Sequence, residues 1–276
     1  CINIGYWNVN YHKYEYAILH NDYELFNGFV ATIGAEYHLR RPTNNNISDI
    51  YSSLRSSEND ELIVNILRNK HTFVPYVRLS WTPEQYYRYE GREKIYVRSR
   101  FPTFKVEYAK SIPEIFRSSS RYDKIEVDIS QNIRFGLMNS IQYHIGAGKF
   151  IRQKTEYFAD FSFFAKNYFP DNWENGTGGS FNLLDRHYFN SFESYIQGHL
   201  MIESPFLIFR NIPLLSDFIS RERIYLSQLH TPQIKSYTEL GYGIGNRFFR
   251  TANVGIFCSF VKYKFNEVGV KASFEL

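Results

Sequence analysis

A chain of 276 residues with 32 basic and 28 acidic side chains is nearly balanced in charge, and its length fits one large barrel or about one or two soluble domains. Its basic residues form no cluster or stripe, which argues against nucleic acid as a partner. No run of about eighteen or more apolar residues occurs, so a helical membrane span is excluded. Aromatic residues make up 18% of the chain while the mean hydropathy is −0.40, and the rings are spread singly between polar neighbours. That dispersion suits a barrel with an apolar outer wall, a wet lumen and aromatic rims.

Cys1 opens the chain with neither methionine nor signal peptide ahead of it, as a processed lipoprotein would begin. The run Ile2-Asn3-Ile4-Gly5-Tyr6-Trp7 behind it reads as a strand and favours a fragment of a longer protein over a lipid tether. Cys258 falls in a strand far along the chain, so neither a disulfide with Cys1 nor a metal site is expected.

Period-two alternation predicts strands over residues 2–9, 12–19, 23–40, 61–68, 72–83, 92–110, 121–134, 139–150, 157–166, 187–204, 222–230, 236–246, 251–262 and 267–276, about fourteen in all. In the third, Phe29, Ala31, Ile33, Ala35, Tyr37 and Leu39 share one face. In the seventh, Ile125, Val127 and Ile129 oppose Lys124, Glu126, Asp128 and Ser130. Gln142 and His144 likewise oppose Ile141, Tyr143 and Ile145. Leu240, Tyr242 and Ile244 face away from Gly241, Gly243 and Gly245, and glycines facing a lumen let the wall bend or admit a bulky group from a plug or an opposite strand. The last segment sets Val268, Val270, Ala272, Phe274 and Leu276 against Gly269, Lys271, Ser273 and Glu275.

Strands of about nine to eleven residues cross a hydrocarbon layer when tilted. The expected fold is therefore all-β: an antiparallel transmembrane β-barrel over residues 1–276, complete or part of a larger barrel, in the outer membrane of a Gram-negative cell. Its lumen would be lined by Lys124, Glu126, Asp128, Gln142, His144, Lys271 and Glu275.

With the C-terminus placed in the periplasm, the polar segments 42–60, 84–91 and 167–186 fall outside. Segments 111–120 and 205–221 fall on the periplasmic side. Each carries Ile-Pro followed by an amphipathic turn and reads either as a short helix at the inner rim or as ordinary turn punctuation.

Chemistry is sparse. Asp185-Arg186-His187 stands where an outer loop meets a strand, and a base and its orienting carboxylate two residues apart share a face. This carries the alternative of a barrel hydrolase of protease or lipase type; a charged wet rim is the plainer reading. His199 faces the lumen like His144, and the remaining histidines are scattered without metal-ligand spacing. Asp171, Glu174 and Asn175 lack an EF-hand pattern, so no metal or cofactor is expected.

Several blocks carry a resemblance: Trp81-Thr82-Pro83-Glu84-Gln85-Tyr86-Tyr87-Arg88, Phe101-Pro102-Thr103-Phe104, Phe181-Asn182-Leu183-Leu184, Ile212-Pro213-Leu214-Leu215 and Tyr237-Thr238-Glu239-Leu240-Gly241-Tyr242-Gly243-Ile244. In their order and spacing they resemble the barrel portion of a Bacteroidota outer-membrane family of unknown function, from about residue 23 to the end. In that family a carboxypeptidase-regulatory-like β-sandwich precedes the barrel; its absence here agrees with a fragment. The terminal strand is also similar to the signal read by the barrel-assembly machinery, which Glu267, Gly269, Ala272 and Phe274 fit. Ala272 stands where an aromatic is usual, and Glu275-Leu276 run past the customary last phenylalanine.

The resemblance and the alternation together imply a non-catalytic barrel acting in envelope transport or biogenesis. Its expected partners are outer-membrane lipid, the barrel-assembly machinery and a periplasmic or surface protein. A soluble lipid-carrying β-protein is a third reading, and it predicts solubility without detergent.

Overall fold

The computed structural model describes residues 2–9, 12–42, 70–136, 138–153, 162–163, 181–184, 190–191, 193–205, 207–208, 219–232, 236–246 and 252–274. Its strands in chain order are β1 (Ile2–Val9), β2 (His12–Phe26), β3 (Phe29–Pro42), β4 (Lys70–Trp81), β5 (Tyr86–Glu90), β6 (Glu93–Arg98), β7 (Thr103–Lys110), β8 (Tyr122–Phe135), β9 (Asn139–Gln153), β10 (Ser162–Phe163), β11 (Asn190–Ser191), β12 (Ser194–Ser204), β13 (Ile219–His230), β14 (Tyr237–Asn246), β15 (Ala252–Val261) and β16 (Lys264–Phe274). Twelve of them form one sheet in the order β1-β2-β3-β4-β7-β8-β9-β12-β13-β14-β15-β16, every neighbour antiparallel. Among the described residues β1 and β16 are its two edges; no ladder joins them.

The expected alternation sets the two faces of this sheet. One face carries Ile33, Leu79, Val106, Val127, Ile145, Ile256 and Val270, all exposed, with Ile145 at 51% and Val270 at 67%. The register aligns them: Leu79 with Val106, Val106 with Val127, Ile256 with Val270. The opposite face holds the polar and charged side chains, and it is the covered one. Arg223, His199, Thr72 and Glu239 are each at most 4% exposed. A water-soluble sheet buries its apolar face; this one exposes it.

Two connections depart from the expected boundaries. The strand expected over 23–40 is broken by Asn27-Gly28, a two-residue hairpin turn whose glycine sits at φ 78. The segment 84–91, expected as an outer loop, contains β5, which pairs with β6 in a separate hairpin. This hairpin docks against the β2–β3 turn. Thr82 donates its N–H to the Gly28 carbonyl at 2.8 Å, and Lys94 pairs with Glu24 while lying over the Tyr87 ring at 4.2 Å. The hydrogen bond to Glu24 holds the Lys94 ammonium above its usual range.

Residues 61–68 lie outside the described residues, and of the strand expected over 157–166 only β10 is described. No strand stands between β3 and β4 or between β9 and β12, since each pair is directly hydrogen-bonded. This direct pairing changes the ends at which the connections emerge. Connections 43–69, 111–121 and 154–193 leave one end of the sheet, and 82–102 and 205–218 leave the other. Segments 111–120 and 205–221 therefore lie at opposite ends, not on one side.

Neither expected rim helix is seen among the described residues. Residues 111–120 contain a single 3-10 turn, Ile115–Arg117, with Phe116 at φ 50. Their backbone is used as a strand would use it: Ile112 and Ser119 donate to the carbonyls of Phe73 and His71, at 3.0 and 3.1 Å. Those bonds cap the part of β4 that β7 is too short to reach, and positive φ at Glu114, Phe116 and Arg117 rules out a right-handed helix between them. Residues 209–218, where the second helix was expected, lie outside the described residues.

Packing on the covered face relies on rings laid over glycines. A Cβ on Gly34 would meet the Tyr76 ring at 2.6 Å, and one on Gly148 would meet Tyr195 at 2.3 Å. Tyr195 in turn donates its hydroxyl to Glu126. Gly148→Val is expected to push the ring off the wall and break that bond, lowering stability by about 1–3 kcal/mol. A reduced denaturant midpoint measured in detergent checks this.

Candidate functional site

Reading the register across the covered face gives continuous rows of polar side chains. One runs Asp22, Thr32, Arg78, Glu107, Glu126, Gly148, Tyr195 over seven strands. Arg78 bridges to Glu107 at 2.6 Å and Lys124 to Glu126 at 2.9 Å. A second row runs Ser130, His144, His199, Ser227, Glu239, Ser259, Glu267. Within it the His144 and His199 rings stack 5.9 Å apart; His144 bonds Asp128 at 2.7 Å and His199 bonds Ser227 at 2.9 Å.

Ser227 and His199 have the spacing of a nucleophile and its base. They lack the third group: Nε2 of His199 has no hydrogen-bond partner among the described residues, so no carboxylate there orients the ring.

The most elaborate contact on this face is made by a segment that is not part of the wall. Residues 181–184 come from the long connection between β9 and β12 and lie against the covered face of β12 to β16. Phe181 and Leu184 are fully buried, and Leu183 is nearly so. The centre of the contact is Glu239 on β14. Its Oε2 accepts the N–H of Asn182 at 2.7 Å, and its Oε1 accepts those of Leu183 at 2.7 Å and Leu184 at 3.0 Å. The Tyr237 hydroxyl donates to the same Oε1 at 2.6 Å.

The buried oxygens of Glu239 are thus satisfied by successive main-chain donors, the arrangement of a backbone anion nest. Charge-assisted bonds of this kind are stronger than neutral ones. Side chains add two apolar sockets. The Phe181 ring packs 4.7 Å from His199 and 5.6 Å from Tyr237. Leu183 joins Met201, Tyr225 and Phe257 and fills the space a side chain on Gly269 would need, since a Cβ there would lie 2.3 Å from Leu183 Cδ2. Lys271 closes the site by donating to Asn182 Oδ1 at 3.1 Å.

The glycines of β14 and β16 leave room for bulky groups, though at Gly241 the group comes from the adjacent strand and not from an opposite one. Leu183 of the inserted segment takes the room at Gly269, and Phe257 of the neighbouring strand takes that at Gly241. Of the residues expected to line the interior, Lys124, Glu126, Asp128, Gln142, His144 and Lys271 all stand on this face, while Glu275 lies outside the described residues. Lys271 meets the inserted segment, whereas Glu126 and His144 belong to the polar rows beside it and bond Lys124 and Asp128.

Within the terminal strand, Gly269 lies under Leu183, and the backbones of Ala272 and Phe274 pair with Val254 and Ala252. Asp185 and His187 lie outside the described residues. Glu239 and its partner segment carried no functional reading from sequence. The signal that could have found them is a carboxylate two residues from a tyrosine on a strand face otherwise made of glycine.

From Tyr6 to Ile244, a stretch that includes both residues 181–184 and Glu239, the chain matches the C-terminal domain of a family of unknown function, DUF5686. The chain belongs to this family. In this DUF5686 domain the matched stretch ends within β14, so Phe257, Gly269 and Lys271, which complete the socket around Leu183, lie beyond it. No curated protein matches the chain.

Proposed function

We propose that the protein is a β-barrel of the outer membrane of a Gram-negative, Bacteroidota-type cell, acting without catalysis in envelope transport or biogenesis. The observation that carries this is the inverted distribution of side chains: apolar residues at the exposed face, ion pairs and buried carboxylates at the covered one. Strands of 10 to 15 residues in β8, β9 and β12 to β16 are long enough to cross a hydrocarbon layer.

On this reading the exposed face meets outer-membrane lipid. The barrel-assembly machinery engages β16 through its Gly269, Ala272 and Phe274 signal, and a periplasmic or surface protein meets the loops. Residues 181–184 then occupy the interior as a plug. A carboxypeptidase-regulatory-like domain preceding the barrel in the full gene product is part of the same proposal.

Gel mobility of the full-length product, boiled and unboiled, after separation of outer from inner membranes tests it. A heat-dependent shift in the outer-membrane fraction is the expected result. A product that is soluble without detergent and shows no shift overturns the reading.

A further inference from the structure

We infer that the hollow around Glu239 is a receptor site for an apolar peptide turn, and that residues 181–184 are its resident occupant. The inference deepens the proposed role in transport or biogenesis, on which it rests, by naming the substrate class: a polypeptide segment with large apolar side chains.

Three features point to a peptide. First, recognition of the occupant runs through its main chain, since one carboxylate takes the N–H groups of Asn182, Leu183 and Leu184 in succession. A fatty acyl chain has no such donors, and an anionic ligand would meet the Glu239 charge. Second, the wall supplies separate sockets for separate side chains: His199 and Tyr237 around Phe181, and the gap at Gly269 for Leu183. Third, among the described residues Nε2 of His199, beside the Phe181 socket and only 3% exposed, has no hydrogen-bond partner, so residues 181–184 leave that polar group unused.

The site accordingly reads a pattern of apolar, polar, apolar, apolar in a turn with free N–H groups. A passing polypeptide of that pattern exchanges with residues 181–184. Backbone-led capture with side-chain pockets is a recurring mode of peptide recognition.

The test uses the full-length product in detergent and a fluorescein-labelled peptide of the chain's own residues 179–185. Heat-dependent mobility of the native protein is recorded first, so a failure of the barrel reading is seen before any peptide is added. A Phe181→Gly, Leu183→Gly variant empties the sockets without touching the wall. It is expected to bind the peptide saturably, and on the order of tenfold more tightly than the native protein, whose site is filled.

Adding Glu239→Gln to that variant, or N-methylating the peptide at the Leu183 and Leu184 positions, is expected to weaken binding on the order of tenfold or more. Absence of saturable binding by an emptied variant that keeps its mobility shift overturns the inference. So does equal binding of the N-methylated peptide. Should the emptied variant lose its shift, the peptide is offered in excess to the native protein. Displacement then exposes the Leu183–Leu184 bond to protease, and unchanged cleavage overturns the inference.

Discussion

Glu239→Ala is expected to release residues 181–184 from the wall. The substitution leaves three backbone N–H groups and the Tyr237 hydroxyl without the oxygens they now share. Each buried donor left unsatisfied costs about 1–3 kcal/mol, so the contact loses roughly 3 kcal/mol or more and the segment comes away, where water meets those groups. The strands themselves are untouched by the change. Limited proteolysis in detergent is expected to cut the variant between residues 181 and 184 under conditions that leave the native chain whole, with the heat-dependent mobility retained. Glu239→Gln keeps one acceptor oxygen and should fall between the two. Equal protection of native and Glu239→Ala chains would show that the apolar sockets alone hold the segment.

Ile145→Lys is expected to have the other large effect, at assembly. Ile145 lies near the middle of β9 on the exposed face, with about half its surface open. In water such a change is close to neutral, because a half-exposed side chain buries little. At the midplane of a bilayer a lysine on the lipid face costs about 2–4 kcal/mol. On the proposed reading the variant should yield markedly less heat-modifiable protein in the outer-membrane fraction, and Ser130→Lys, on the covered face beside His144, should not share that dependence on the lipid. Equal recovery of native and Ile145→Lys chains in the membrane fraction would count against a lipid-facing wall.

Alternation made the sheet legible because its period is local: the opposed sets Ile125, Val127, Ile129 and Lys124, Glu126, Asp128 fall on the two faces as read. Boundaries were harder to place. Phe26 and Phe29 flank the Asn27-Gly28 turn and stack at 4.7 Å, so the apolar pattern runs through a hairpin that the Asn-Gly pair by itself announces. The segment 111–120 leaves helix and turn open because Ile112-Pro113 opens helices as readily as it opens this turn, and the deciding partners, the carbonyls of His71 and Phe73, lie far back in the chain. The site was illegible for the same reason on a larger scale. Glu239 satisfies the period of its strand whether or not anything binds it, and the main-chain donors it holds carry no side-chain signature.

The insertion of residues 181–184 also has a temporal meaning. Their anchors lie later in the chain: Glu239 is 57 positions from Asn182, and Lys271 is 89. Contacts so distant in sequence form late, after the intervening chain has paid its loop-closure entropy. Leu183 finds its seat only once β16 has brought Gly269 alongside Phe257. Full seating of this segment thus depends on β16 standing in register, because Gly269 and Lys271 supply the last of its contacts.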